Sequence, residues 1–104
     1  MLIFVFDVTS KEFQVDLDHY KSCLGALTDL SQNAKIFVLI HKMDLIREDM
    51  RDEMFLEKKT RIMEETSNNF KDKTQCFRTS IWDETLYKAW SQIVSILLPN
   101  INQL

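Results

Sequence analysis

Lys42 and Asp44 stand two residues apart, directly after the apolar run Ile36-Phe37-Val38-Leu39-Ile40 and with His41 between run and pair. A carboxylate fixed just past a buried strand can accept two parallel hydrogen bonds. Guanine offers such a pair of donors on N1 and the exocyclic N2, and adenine has no equivalent on that edge. A site built this way rejects the wrong base strongly, because an unpaired group costs about 1–3 kcal/mol, more if charged. The methylene stem of Lys42 could lie along the base plane while its ammonium reaches ribose or loop carbonyls. Backbone N–H groups of Ser80-Ile81, after a third apolar stretch, could serve the guanine O6. On the K-x-D pattern alone, a capping aspartate and a solvated lysine are the more ordinary account.

Other chemistries find little support. Two histidines, His19 and His41, leave no Ser/His/Asp or Cys/His triad to argue for. His19 reads as a surface residue, and Asp16 and Asp18 as a solvated face. Cys23 and Cys76 fit no metal spacing and are expected as buried, reduced thiols. The chain has one glycine, Gly25. A phosphate-cradling Walker A loop needs two and a dinucleotide fingerprint three, so the pair Lys59-Thr60 imitates the first motif only by chance and reads as a solvated helix face. A formal charge of −3, with Lys and Arg scattered among acids, gives no basic face for nucleic acid or for an anionic membrane. No apolar stretch approaches the roughly 20 residues of a membrane span. Leu2 to Phe6 has no basic flank and ends at Asp7, so neither a secretory signal nor direct membrane insertion is expected, and a cytoplasmic location is.

The elements that must position these residues follow from hydrophobic pattern. With 104 residues, 45% of them hydrophobic, one small domain can be filled. Leu2 to Val8 is a continuous apolar run of β-formers and reads as a strand buried on both faces. Thr9-Ser10 can cap the helix after it. Phe13, Leu17, Tyr20, Leu24 and Leu27 recur at spacings of four, three, four and three, the stripe of an amphipathic helix ending near Gln32-Asn33, in which Gly25 marks close packing. Ile36 to Ile40 is a second buried strand. Glu48 to Asn68 reads as a long exposed helix with an inner stripe of Phe55, Ile62, Thr66 and, beyond it, Phe70. Gln75 to Thr79 is a shorter, more polar strand nearer a sheet edge. Ser80 and Asp83 have capping-box spacing. Leu86, Ala89, Trp90, Ile93 and Leu97 form a last helix closed by Pro99, with Trp82 and Trp90 as packing residues. The order βαβαβα implies an α/β fold with a parallel sheet and right-handed crossovers, forming one domain or part of one. Ligands of such sheets bind beyond the carboxyl ends of the strands, at Asp7, at His41 to Asp44 and at Thr79 to Trp82.

His41-Lys42-Met43-Asp44 resembles the NKxD base-recognition motif of Ras-like GTPases with His in place of Asn, a replacement similar to that in the A/B branch of the Rag GTPases. Cys76 to Trp90 (CFRTSIWDETLYKAW), Phe4 to Val8, Tyr20 to Leu24 and Pro99-Asn100-Ile101 share the resemblance, which covers essentially the whole chain. It implies a three-layer βαβαβα fold with a parallel sheet, the second half of a Ras-like P-loop GTPase domain. Residues 1–104 would be a partial GTPase domain, with P-loop, switches, DxxG segment and C-terminal pairing domain absent. It implies guanine binding by His41, Lys42, Asp44, Ser80 and Ile81. Ile81-Trp82 departs from the Ser-Ala-Lys of Ras, leaving no second lysine over the base. GTP or GDP is the implied ligand of the parent protein, with Mg²⁺ that takes no ligand from this chain, which alone would not hydrolyse GTP. The resemblance also implies a Rag C/D-type partner subunit, amino-acid signalling to the target-of-rapamycin kinase complex, and a lysosomal or vacuolar surface. The rival expectation is a protein-interaction module of the same fold that binds no nucleotide. A receiver-like domain fails, because the later strands end in His41 and Ser80 where a phospho-accepting aspartate is needed.

Overall fold

The computed structural model describes residues 1–98; Pro99 and the segment 100–104 lie outside them. Three strands, β1 (Leu2–Asp7), β2 (Ile36–His41) and β3 (Thr74–Arg78), alternate with α1 (Phe13–Leu30), α2 (Arg51–Glu65) and α3 (Thr85–Leu97). Short 3₁₀ turns occupy Met43–Leu45, Glu48–Met50 and Lys71–Lys73. The strands are parallel in the order β1-β2-β3, with Asp7 opposite His41 and Ile40 opposite Arg78. This is the expected α/β layout.

The period of two in a strand sorts β2 between two cores. Ile36, Val38 and Ile40 join Phe6, Val8, the α1 residues Phe13, Leu17, Tyr20 and Leu24, and Ile62 of α2. Phe37 and Leu39 point the other way, to Ala89 and Ile93 of α3. Two helices thus cover one face and one helix the other, giving three layers. Each large apolar side chain so buried contributes about 1.5–3 kcal/mol. Tyr20 is fully buried, with its ring 5.3 Å from Phe4 and 5.5 Å from Phe6. Thr66 Oγ1 donates to the Ile62 carbonyl at 2.8 Å, so its one hydrogen is committed and Tyr20 O–H must donate to it at 2.9 Å.

Several expectations are corrected. β1 is not buried on both faces: Val5 is 53% exposed, because α3 packs over β2 and β3 and leaves the outer part of that face open. α1 ends at Leu30, and its N-cap is Glu12 with no side-chain cap. Thr9 instead donates its N–H and hydroxyl to Asp7 Oδ1, and Ser10 Oγ accepts from the Glu12 N–H. Gly25 marks no close packing, since a Cβ there would meet nothing within 4 Å. α2 begins three residues after Glu48, which opens a 3₁₀ turn, and it stops at Glu65, with Thr66 extended. Phe70 and Thr66 are buried beyond its end. The Ser80–Asp83 capping box does not form, because α3 starts at Thr85 after Glu84, and both side chains are used elsewhere. Trp82 and Trp90 do not pack: they are 79% and 55% exposed, since Ala89 and Ile93 already supply the buried edge of α3. Cys23 and Cys76 are free and half-buried, and burial pushes the Cys76 thiol up to about 11.

Candidate functional site

Because the strands run the same way, the turns after β1, β2 and β3 meet at one rim of the sheet. Backbone bonds fasten them together. Val8 N–H donates to the His41 carbonyl at 3.0 Å, Thr79 N–H to that of Ile40 at 2.9 Å, and Met43 N–H to that of Thr79 at 3.1 Å. His41 Nδ1 lies 2.8 Å from Thr79 Oγ1, so the imidazole is anchored to the β3 turn and its Nε2 is the nitrogen left for other partners.

Lys42 has φ 66°, the only positive φ at a non-glycine residue among the described residues. A left-handed residue with a Cβ costs roughly 1–2 kcal/mol, and such outliers gather at ligand sites. The conformation turns the chain into the 3₁₀ turn Met43–Leu45, seating Met43 in the core and carrying Asp44 back over the sheet rim. Lys42 Nζ reaches Asp7 Oδ2 at 2.8 Å, a partner across the sheet rather than a loop carbonyl. Partial burial works against the Asp7 carboxylate, yet hydrogen bonds from Lys42 and Thr9 outweigh it and hold the group at about 2.

Asp44 accepts a hydrogen bond from Ser80 Oγ at 2.6 Å on Oδ1, and among the described residues Oδ2 meets no donor. Ser80 is fully buried, and its Oγ also accepts the Trp82 N–H at 3.0 Å. Asp44 and Ser80, distant in sequence, are therefore in direct contact. Ile81 follows at the rim, 65% exposed. Beside it an open groove of about 380 Å³ is lined by Ser80, Ile81, Asp83, Leu86, Tyr87 and Trp90. The half-buried Asp44 carboxylate thus has one oxygen steadied by Ser80 and one open to a donor from outside. No cluster of three His, Cys, Asp or Glu side chains that could hold a metal ion occurs among the described residues.

All five expected residues, His41, Lys42, Asp44, Ser80 and Ile81, lie on this rim, and the first four are tied into it by the contacts above. Sequence reasoning missed three of their supports. Thr79 holds the imidazole, and Asp7 holds the lysine. Arg51, at the start of α2, donates from Nε to the Ile46 carbonyl at 2.9 Å and from Nη2 to that of Asp44 at 3.3 Å. Asp7 could have been found, as it was already marked as the residue ending β1. Arg51 left no signal, because the helix start was misplaced.

A parallel three-layer sheet with these turns at its carboxyl rim has the fold of the second half of a Ras-like GTPase domain. The whole chain, residues 1–104, matches the family described as Gtr1/RagA G protein conserved region. It is 54% identical over 104 residues to Ras-related GTP-binding protein A of Dictyostelium discoideum, covering all of this chain and 34% of that protein. It is 53% identical over 106 residues to Ras-related GTP-binding protein B of Rattus norvegicus, covering all of this chain and 27% of that one. Over 100 residues it is 54% identical to GTP-binding protein gtr1 of Schizosaccharomyces pombe, covering 96% of this chain and 32% of that protein. The chain thus spans about a third or less of these relatives' length. It belongs to the Gtr1/RagA family of G proteins.

Proposed function

We propose that this chain is the base-recognising portion of a Rag A/B-type GTPase, residues 1–104 forming part of the GTPase domain. Asp44 accepts the N1 and N2 donors of guanine, Lys42 lies along the base, His41 Nε2 faces its imidazole edge, and Ser80-Ile81 close the site near O6. The observation that carries this reading is the Asp44–Ser80 contact at 2.6 Å beside a left-handed Lys42. A carboxylate steadied on one oxygen is preorganised for a bidentate partner, which lowers the ordering cost of binding.

The reading extends, through family membership, to the longer protein. There GTP and GDP are the ligands, and phosphates and Mg²⁺ are held by parts other than this chain. GTP hydrolysis belongs to that whole and not to these residues alone. A Rag C/D-type subunit is the partner, and the pair reports amino-acid sufficiency to the target-of-rapamycin kinase complex from a lysosomal or vacuolar surface. The exposed Ile81, Trp82, Tyr87 and Trp90 favour a second role, as a protein-interaction surface that needs no nucleotide. Competition for a fluorescent guanine nucleotide on the full gene product separates the two. Displacement by GDP far below the ADP concentration needed supports base recognition, whereas equal displacement, or no binding, overturns it.

A further inference from the structure

The turn that carries Asp44 is short and cannot hold itself. Met43–Leu45 makes a single 3₁₀ turn, closed by Leu45 N–H on the Lys42 carbonyl and Ile46 N–H on that of Met43. The chain then leaves in extended form at Ile46. The carbonyls of Asp44 and Ile46 are therefore orphan acceptors, as at any helix end. Both are taken by one guanidinium, that of Arg51, at 3.3 and 2.9 Å.

The placement of that arginine is costly on local grounds. Arg51 is the first residue of α2, where the helix dipole favours anions and disfavours cations. Asp52 and Glu53 in the same turn follow the dipole, and Arg51 does not. Its position is explained by the two carbonyls. The neighbouring Asp52 pairs with Arg78, the residue before Thr79 and Ser80, so the start of α2 is tied to both turns that flank the site. Arg51 also contributes to the field at Asp83, whose carboxyl is held below the usual range chiefly by the hydroxyl and N–H of Thr85.

We propose that Arg51 is a positioning residue for base selectivity: its two-pronged grip on the Asp44 and Ile46 carbonyls fixes the orientation of the Asp44 carboxylate. A planar fork reaches two acceptors at once, and the point charge of lysine does not. The proposal rests on Asp44 being the guanine acceptor, and its test separates the two ideas. Inosine nucleotides lack the exocyclic amino group, so the ratio of GDP to IDP affinity reports how well the carboxylate is aimed, independently of phosphate binding.

The ratio is measured by competition on the full gene product for the wild type and for Arg51→Ala, Arg51→Gln, Arg51→Lys, Glu53→Ala and Asp44→Asn. Arg51→Ala and Arg51→Gln should lower the guanine preference roughly ten-fold, the scale of one hydrogen bond to a charged group. Arg51→Lys should restore it only in part, and Glu53→Ala, on the exposed face, should leave it unchanged. Thermal unfolding accompanies each variant, and Arg51→Gln, which keeps most of the side-chain bulk, decides the matter if Arg51→Ala does not fold. A folded Arg51→Gln protein with the wild-type ratio overturns the proposal, as does an equal loss of GDP and IDP affinity, which would mark a purely structural role. A wild type with no preference between the two overturns the base-site reading itself. A preference lost in Asp44→Asn and kept in the Arg51 variants overturns the positioning role alone.

Discussion

Replacing Asp44 by asparagine changes one atom and should invert the choice of base. Ser80 Oγ accepts the Trp82 N–H, so its own hydrogen must go to residue 44. In the Asp44→Asn variant that donor holds the new amide with its carbonyl toward Ser80. The amide NH₂ then faces the ligand, where guanine also presents donors. Two charge-assisted hydrogen bonds at about 1.5–3 kcal/mol each bound the loss at about 3–6 kcal/mol. Asp44 is only half-buried, so water recovers part of this, and about 2–4 kcal/mol should remain. Guanine affinity should fall by about 30- to 1,000-fold. Xanthine, which carries a carbonyl where guanine has its amino group, should gain what guanine loses. Competition between GDP and xanthosine diphosphate on the full gene product measures both directions together. Unchanged guanine preference in a folded Asp44→Asn protein would remove Asp44 from the base site. Equal weakening for both bases would mean that the turn had collapsed rather than reversed its polarity.

Gly25→Ala should raise stability by about 0.5–1 kcal/mol in thermal or urea unfolding, since the helix interior favours alanine and nothing lies within 4 Å of the added methyl; a loss would reveal an unsuspected neighbour. Asp7→Asn should destabilise the fold with a definite pH signature. The folded value near 2 lies below the ordinary 3.8, so the contribution is present above about 3.8 and fades as pH falls toward 2. A wild-type-to-mutant gap that does not narrow over that interval in acid unfolding curves would refute the Lys42–Asp7 latch. It should be a small gap, because both side chains are over a third exposed. Expressed as these 104 residues alone, the chain should bind a fluorescent GDP analogue no better than weakly and should self-associate in size-exclusion chromatography. The outer edge of β1 has no partner strand among the described residues and Val5 is bare. Sub-micromolar binding by a clean monomer would show that the phosphate site had been misplaced.

The contact between Asp44 and Ser80 was legible in the sequence because consecutive parallel strands set their carboxyl-terminal turns side by side. Any chain in which Ile36-to-Ile40 and Gln75-to-Thr79 are adjacent parallel strands must do this, and here β2 and β3 are so paired. Which face of an element finds a partner was not legible. The spacing of Leu86, Ala89, Trp90 and Ile93 marks one apolar stripe, yet only Ala89 and Ile93 are buried. An indole is apolar whether or not anything covers it. The run Leu2 to Val8 looked buried on both sides for the same reason, and Val5 was exposed because a single helix spans that face. Capping was misread at Thr9-Ser10 and at Ser80. Hydroxyls serve helix ends and other partners equally well: Thr9 donates to Asp7 and Ser80 to Asp44, while Ser10 accepts the Glu12 N–H ahead of the helix. Arg51 escaped notice because its role depends on the residue at which α2 begins, and side-chain pattern fixes such boundaries poorly.

The common direction of the three strands also divides the molecule for the experimenter. The connections 31–35 and 66–73 lie at the amino ends of β2 and β3, a strand's length of roughly 17–20 Å from the opposite rim. Lys73 Nζ donates to the Gln32 carbonyl there at 2.8 Å, joining the two connections to each other. Asn33, Asn68 and Asn69 are exposed on them. A fluorophore, an affinity handle or a short inserted peptide at Asn33 or Asn69 would sit behind the sheet. It would report on the protein while leaving the carboxyl rim free, which makes the amino rim the side by which to hold this chain.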